Sequence, residues 1–133
     1  GLTQADIDNL DKQWRAEVSA AAKPTIDKVL GNSLSAYLKA KLEASKGLYT
    51  EIFVMDGKGL NVGQSNITSD YWQGDEPKWQ ETFGKGAGSV HISDVEEDES
   101  TQTYQSQLSL PIVDPASQAV IGAITIGINV EGL

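Results

Sequence analysis

The chain has no cysteine and a single histidine among its 133 residues, so it can build neither a disulfide framework nor a thiolate or polyhistidine zinc site. Absence of thiols is compatible with an oxidising compartment. Basic residues are scarce too: 10 lysines and arginines face 19 aspartates and glutamates, a formal charge of −9. Such a charge repels nucleic acid and anionic lipid headgroups and argues against both as partners. No stretch approaches the roughly 20 apolar residues of a membrane span, and no signal-peptide pattern opens the chain. Catalytic signatures are missing as well. There is no cysteine nucleophile, no glycine-flanked serine elbow and no phosphate-cradling glycine loop, and the histidine, His91, has no evident catalytic context. The sequence therefore reads as non-catalytic, with no cofactor and no metal implied.

What is present suffices for one domain with a single core. From Thr3 to about Lys46, apolar residues recur at helical spacing through Ile7, Leu10, Trp14 and Val18, then Ile26, Val29, Leu34, Leu38 and Leu42. This pattern predicts one long amphipathic helix or two in series. Thr3 and Asp6 have the spacing of a capping box, Pro24 should kink or split the helix, and Gly47 is a stop.

After Gly47 the composition shifts towards glycine, threonine and β-branched residues. Strands are predicted at Tyr49 to Met55, Leu60 to Gln64, Ser89 to Val95, Thr101 to Ile112 and Ala119 to Val130. Asp56-Gly57-Lys58-Gly59 supplies the first hairpin turn, and a short helix should start at Asp75-Glu76-Pro77 and run to about Phe83. The expected architecture is α+β: a five-stranded antiparallel sheet in residues 47–133, with the helical segment 1–46 packed on one face and the loop from Ile67 to Phe83 over the other. In the fourth strand Leu108, Leu110 and Ile112 share one face and Gln105, Gln107 and Ser109 the other. The fifth strand sets Ile124, Ile126 and Ile128 against the small residues Ala123, Thr125 and Gly127, which leave room for something to approach the sheet.

The densest chemistry lies between Tyr71 and Thr82, where two tryptophans, a tyrosine, a lysine and two carboxylates fall close together. Aromatic faces with one cation among them are the usual make-up of a small-molecule pocket. Tyr71, Trp72 and Trp79 either line such a pocket or plug the loop against the sheet. Lys78 is a partner for a ligand carboxylate or a solvated helix residue. His91 either faces the same cavity or is a satisfied strand residue. Gln105 and Gln107 can donate amide hydrogens to a ligand or lie at the surface. Asp75 and Glu76 can hold a ligand ammonium, although carboxylates just before a helix also stabilise its positive end. Asp94, Glu96, Glu97, Asp98 and Glu99 lack the ligand spacing of a calcium loop and read as a solvated hairpin tip.

The long N-terminal helix, the Asp-Gly-Lys-Gly hairpin after Phe53-Val54-Met55, the Asp70-Tyr71-Trp72-Gln73-Gly74-Asp75-Glu76 segment and the closing Ile121-Gly122-Ala123-Ile124-Thr125-Ile126-Gly127-Ile128 run together resemble a Cache domain. The resemblance is to the single-module, PAS-like type also called PDC, over Leu2 to Val130. It implies an extracytoplasmic bacterial sensor of the kind found in chemoreceptors and histidine kinases. Such domains bind a small organic ligand, a carboxylate or an amino acid, and signal through a conformational change carried by the helix, across a helix-mediated homodimer in some cases. Neither end carries a membrane segment, so the resemblance implies either an excised sensor or a freestanding periplasmic relative. The competing reading is a periplasmic interaction module whose cavity is filled by its own side chains and which docks to another protein.

Overall fold

The computed structural model describes residues 1–98 and 102–132; Glu99 and Thr101, assigned above to an acidic turn and the head of a strand, lie outside them. The N-terminal apolar repeat folds as three helices, α1 (Gln4–Val18), α2 (Pro24–Leu30) and α3 (Ser33–Ala44). The capping box forms: Thr3 Oγ1 accepts from Asp6 N and Asp6 Oδ2 accepts from Thr3 N. Pro24 opens α2, where its missing N–H costs nothing. The further break arises because the Asn32 side chain accepts from Ser35 N at 2.8 Å, starting a new helix where the periodicity alone would continue the old one.

The corner between α1 and α2 is held from both sides. Glu17, buried, accepts from Thr25 N at 2.8 Å and Ile26 N at 3.0 Å and so caps α2, while Lys23 Nζ reaches the carbonyls of Glu17, Val18 and Ala20 at the end of α1. Burial by itself would raise the Glu17 carboxyl, but the donors from Ile26, Gln13 and Thr25 outweigh it and hold the group below its ordinary value.

The sheet contains β1 (Tyr49–Met55), β2 (Asn61–Gln64), β3 (His91–Ile92), β4 (Glu96–Asp98), β5 (Thr103–Val113) and β6 (Val120–Asn129). Strand order is β2-β1-β6-β5-β3, with β4 also on β5, and every pairing is antiparallel. Among the described residues six strands replace the expected five: the third predicted strand shortens to His91–Ile92, and β4 forms in the acidic stretch that follows it. Between β3 and β4, Ser93 N donates to Gln107 O at 2.9 Å, but Gln107 N returns its bond to Ser93 Oγ at 2.8 Å instead of to a carbonyl. Glu96 to Asp98 are consequently strand and not hairpin tip.

Register sorts the two faces. Glu51, Phe53 and Met55 stand opposite Gly127, Thr125 and Ala123, and Gln107, Ser109 and His91 continue that face across β5 and β3. Ile52 and Val54 share the other face with Ile126, Ile124, Leu108 and Leu110. Only part of the helical segment covers that second face. Helix α3 packs on β1 and β2, with Leu34 so close to Gly63 that a Cβ there would fall 2.5 Å from Leu34 Cγ. Helix α1 leaves the sheet and packs on α2 and on the loop around Thr68 to Trp72, burying Trp14 completely. The first face receives α4 (Pro77–Gln80), whose Trp79 packs with Phe83 over Phe53, Met55 and Ala123.

Candidate functional site

Between the first sheet face and the loop above it lies a cavity of about 520 Å³, within the range of small-molecule sites. Its floor is Glu51 and Phe53 from β1 with Gln105 and Gln107 from β5. Gly127 makes that floor possible: a Cβ on it would sit 2.9 Å from Glu51 Cγ and against Thr50 Oγ1. The small residues of β6 thus do leave space, and Glu51 occupies part of it.

The lid contributes Thr68, Asp70 and Gln73, the α4 side Glu76 and Lys78, and the β4 rim Glu97. Lys78 Nζ pairs with Glu76 Oε2 at 2.9 Å and lies 5.4 Å from the centre of the Phe53 ring. Gln107 Nε2 reaches Glu51 Oε2 at 3.5 Å, and Gln105 Oε1 accepts from Thr50 Oγ1 at 2.6 Å. Gln73 is 2% exposed and its Oε1 accepts no hydrogen bond. A smaller cavity of about 330 Å³ shares Glu76, Lys78 and Gln107 with the first and adds His91, Ser93 and Glu96. His91 Nδ1 is buried there without a partner.

Of the residues singled out in the sequence, Lys78, Gln105 and Gln107 meet at the larger cavity and His91 joins Lys78 and Gln107 at the smaller. The aromatic residues go elsewhere, which corrects the expectation that they line the pocket. Tyr71 stacks on Trp14 with ring centroids 4.8 Å apart, and burial followed by the nearby Asp56 charge raises its phenol. Trp72 donates its Nε1 to Lys58 O and lies over Gly74, where a Cβ could not fit against the indole. Trp79 stacks on Phe83 at 4.9 Å and donates Nε1 to Asp56 O. Both indoles find a carbonyl acceptor within the fold, and Tyr71 and Trp79 each find a ring to stack on, as packed amphipathic rings ordinarily do. Asp75 is exposed and lines neither cavity.

Two groups on α1 hold the lid: Trp14, which the periodicity marked as apolar, and Asp11, which it did not mark. Asp11 Oδ1 accepts from Tyr71 N at 2.9 Å and Trp72 N at 3.0 Å, its Oδ2 pairs with Arg15 at 2.9 Å, and Trp14 Nε1 donates to Thr68 O at 2.9 Å. Helix α1 is thereby tied to the loop that lines the cavity. Asp11 lies on the same helix face as Ile7 and Trp14, and a carboxylate inside an apolar stripe was the available signal.

No protein-family model matches the sequence, and a search of curated proteins finds no match. Solved structures do match by shape. The sensor domain of the V. cholerae histidine kinase DctB superposes with a TM-score of 0.54 at 10% identity, covering 95% of this chain and 57% of that one. The ligand-binding domain of the Campylobacter jejuni chemoreceptor Tlp3, in complex with L-norvaline, gives 0.57 at 13% identity, covering 91% and 49%. That of the Pseudomonas aeruginosa PAO1 amino acid chemoreceptor PctC, in complex with GABA, gives 0.55 at 11% identity, covering 94% and 52%. The chain spans about half the length of these domains. Its fold is the PAS-like fold of the Cache, or PDC, sensor domains.

Proposed function

We propose that the chain is a single non-catalytic sensor domain, on the extracytoplasmic side of a bacterial membrane, that binds a small organic ligand between lid and sheet and signals by conformational change. The observation that carries this reading is the cavity of about 520 Å³ in which Lys78 from α4 meets Gln105 and Gln107 from β5. A filled chamber would have supported the docking-module alternative, and this one is open. The sensor fold and the amino-acid ligands named for two of its structural neighbours support the same class.

Within that class an amino acid fits better than a plain short carboxylate. Lys78 already pairs with Glu76, so an incoming carboxylate must share it, whereas Glu51 and Asp70 offer acceptors to an ammonium. Binding would shift the population towards a closed lid, and the Asp11 and Trp14 bonds would carry the displacement into α1 and on to a partner or a second copy.

Thermal melting against a panel of amino acids and short organic acids tests the proposal. A specific ligand raises the midpoint with concentration, by an amount set by its affinity. Lys78→Ala should abolish the response to carboxylate-bearing ligands while the unliganded protein remains folded. A flat response across the whole panel rejects the sensor reading.

A further inference from the structure

We infer that the ligand of the larger cavity carries net positive charge, as a basic amino acid with two cationic nitrogens does; this rests on the sensor reading and narrows its ligand class. Four carboxylates line the chamber, Glu51, Asp70, Glu76 and Glu97, against one lysine. Lys78 is committed to Glu76 at 2.9 Å. Asp70 accepts from Ser69 Oγ at 2.8 Å, and the one cation near it among the described residues is Arg15, 3.9 Å away and with 58% of its side chain exposed. Among the described residues, Glu51 and Glu97 form no ion pair. An excess of carboxylates around one open chamber gives it a negative potential that favours a cation. A zwitterion brings no net compensation and an anion adds to the excess.

The compensating charge is organic and extended. No group of three or more Asp, Glu or His residues comes together closely enough to hold a metal ion among the described residues, so a compact divalent cation has no cage. Gln73 supplies an independent sign of a donor-rich ligand. It lines the chamber, is 2% exposed, and its Oε1 accepts nothing from the protein, whereas a buried amide oxygen is ordinarily paired.

A series of equal carbon number isolates charge from size: L-glutamate, L-norvaline and L-ornithine, titrated calorimetrically into the whole chain at low and at physiological salt. Ornithine should bind about tenfold tighter than norvaline, with glutamate weakest and the preference shrinking as salt rises. Glu51→Gln should remove most of the ornithine preference, and Glu43→Gln, an exposed carboxylate on α3, should leave it intact. Norvaline or glutamate binding as tightly as ornithine, or Glu43→Gln acting as strongly as Glu51→Gln, overturns the inference while leaving the sensor reading in place. No binding by any member of this series or of the wider panel overturns both.

Discussion

The seam between α1 and the lid and the cavity beneath the lid share one loop, yet they treat polar groups in opposite ways. At the seam Asp11 takes two backbone N–H donors and Arg15, Trp14 donates to Thr68, and the Trp14 and Tyr71 rings stack. In the cavity carboxylates outnumber cations and Gln73 Oε1 stands unpaired. Satisfied buried groups stabilise, and unsatisfied ones lower stability unless something else completes them. The contrast separates a seam whose polar groups are matched from a chamber where acids are in excess.

Substitutions should break that contrast in graded fashion. Trp14→Ala removes a fully buried ring and the stacking partner of Tyr71, so denaturant unfolding should show a loss of about 3–5 kcal/mol. A loss under about 1 kcal/mol would mean that the seam is not an anchor. Asp11→Ala strips two lid N–H groups of their acceptor and should cost about 1.5–3 kcal/mol. The same variant should speed amide exchange at Tyr71 and Trp72 selectively; uniform acceleration would point to global unfolding instead.

Glu17 adds a pH signature. Its carboxyl is held below its ordinary value in the fold, so its contribution is present above the unfolded-state value and fades as pH falls through the folded one. Glu17→Gln should therefore lower the melting midpoint at neutral pH and flatten its decline in acid; an unchanged acid slope removes Glu17 from that role. The smallest expected effect is on the cavity side. Gln107→Ala should change stability by no more than about 0.5 kcal/mol while weakening the ligand-induced rise in midpoint.

Local rules made much of the framework legible. The Thr3 and Asp6 cap, the bounds of β1 and the small residues at 123, 125 and 127 follow from short-range chemistry visible in a few consecutive residues. The site was only half legible. Lys78, Gln105 and Gln107 could be placed because alternation assigns a face and a lone cation among acids stands out. The tryptophans misled because an indole has the same needs in a core as in a pocket, an apolar face and an acceptor. The roles of Asp11 and Glu17 could not be read for a different reason, although a carboxylate on an apolar stripe marked Asp11 as unusual. Their partners lie across a chain separation or a helix corner that no periodicity encodes, and only the assembled fold shows why a carboxylate belongs on an apolar stripe.

The position of β6 has a consequence for how the protein comes into being. It is the last strand in sequence and yet sits inside the sheet, hydrogen-bonded to β1 on one edge and β5 on the other. While the chain is being synthesised, β1 and β5 have nothing to bridge them until residues 120–129 leave the ribosome. Closure of the sheet therefore waits on β6 and is governed by contacts distant in sequence.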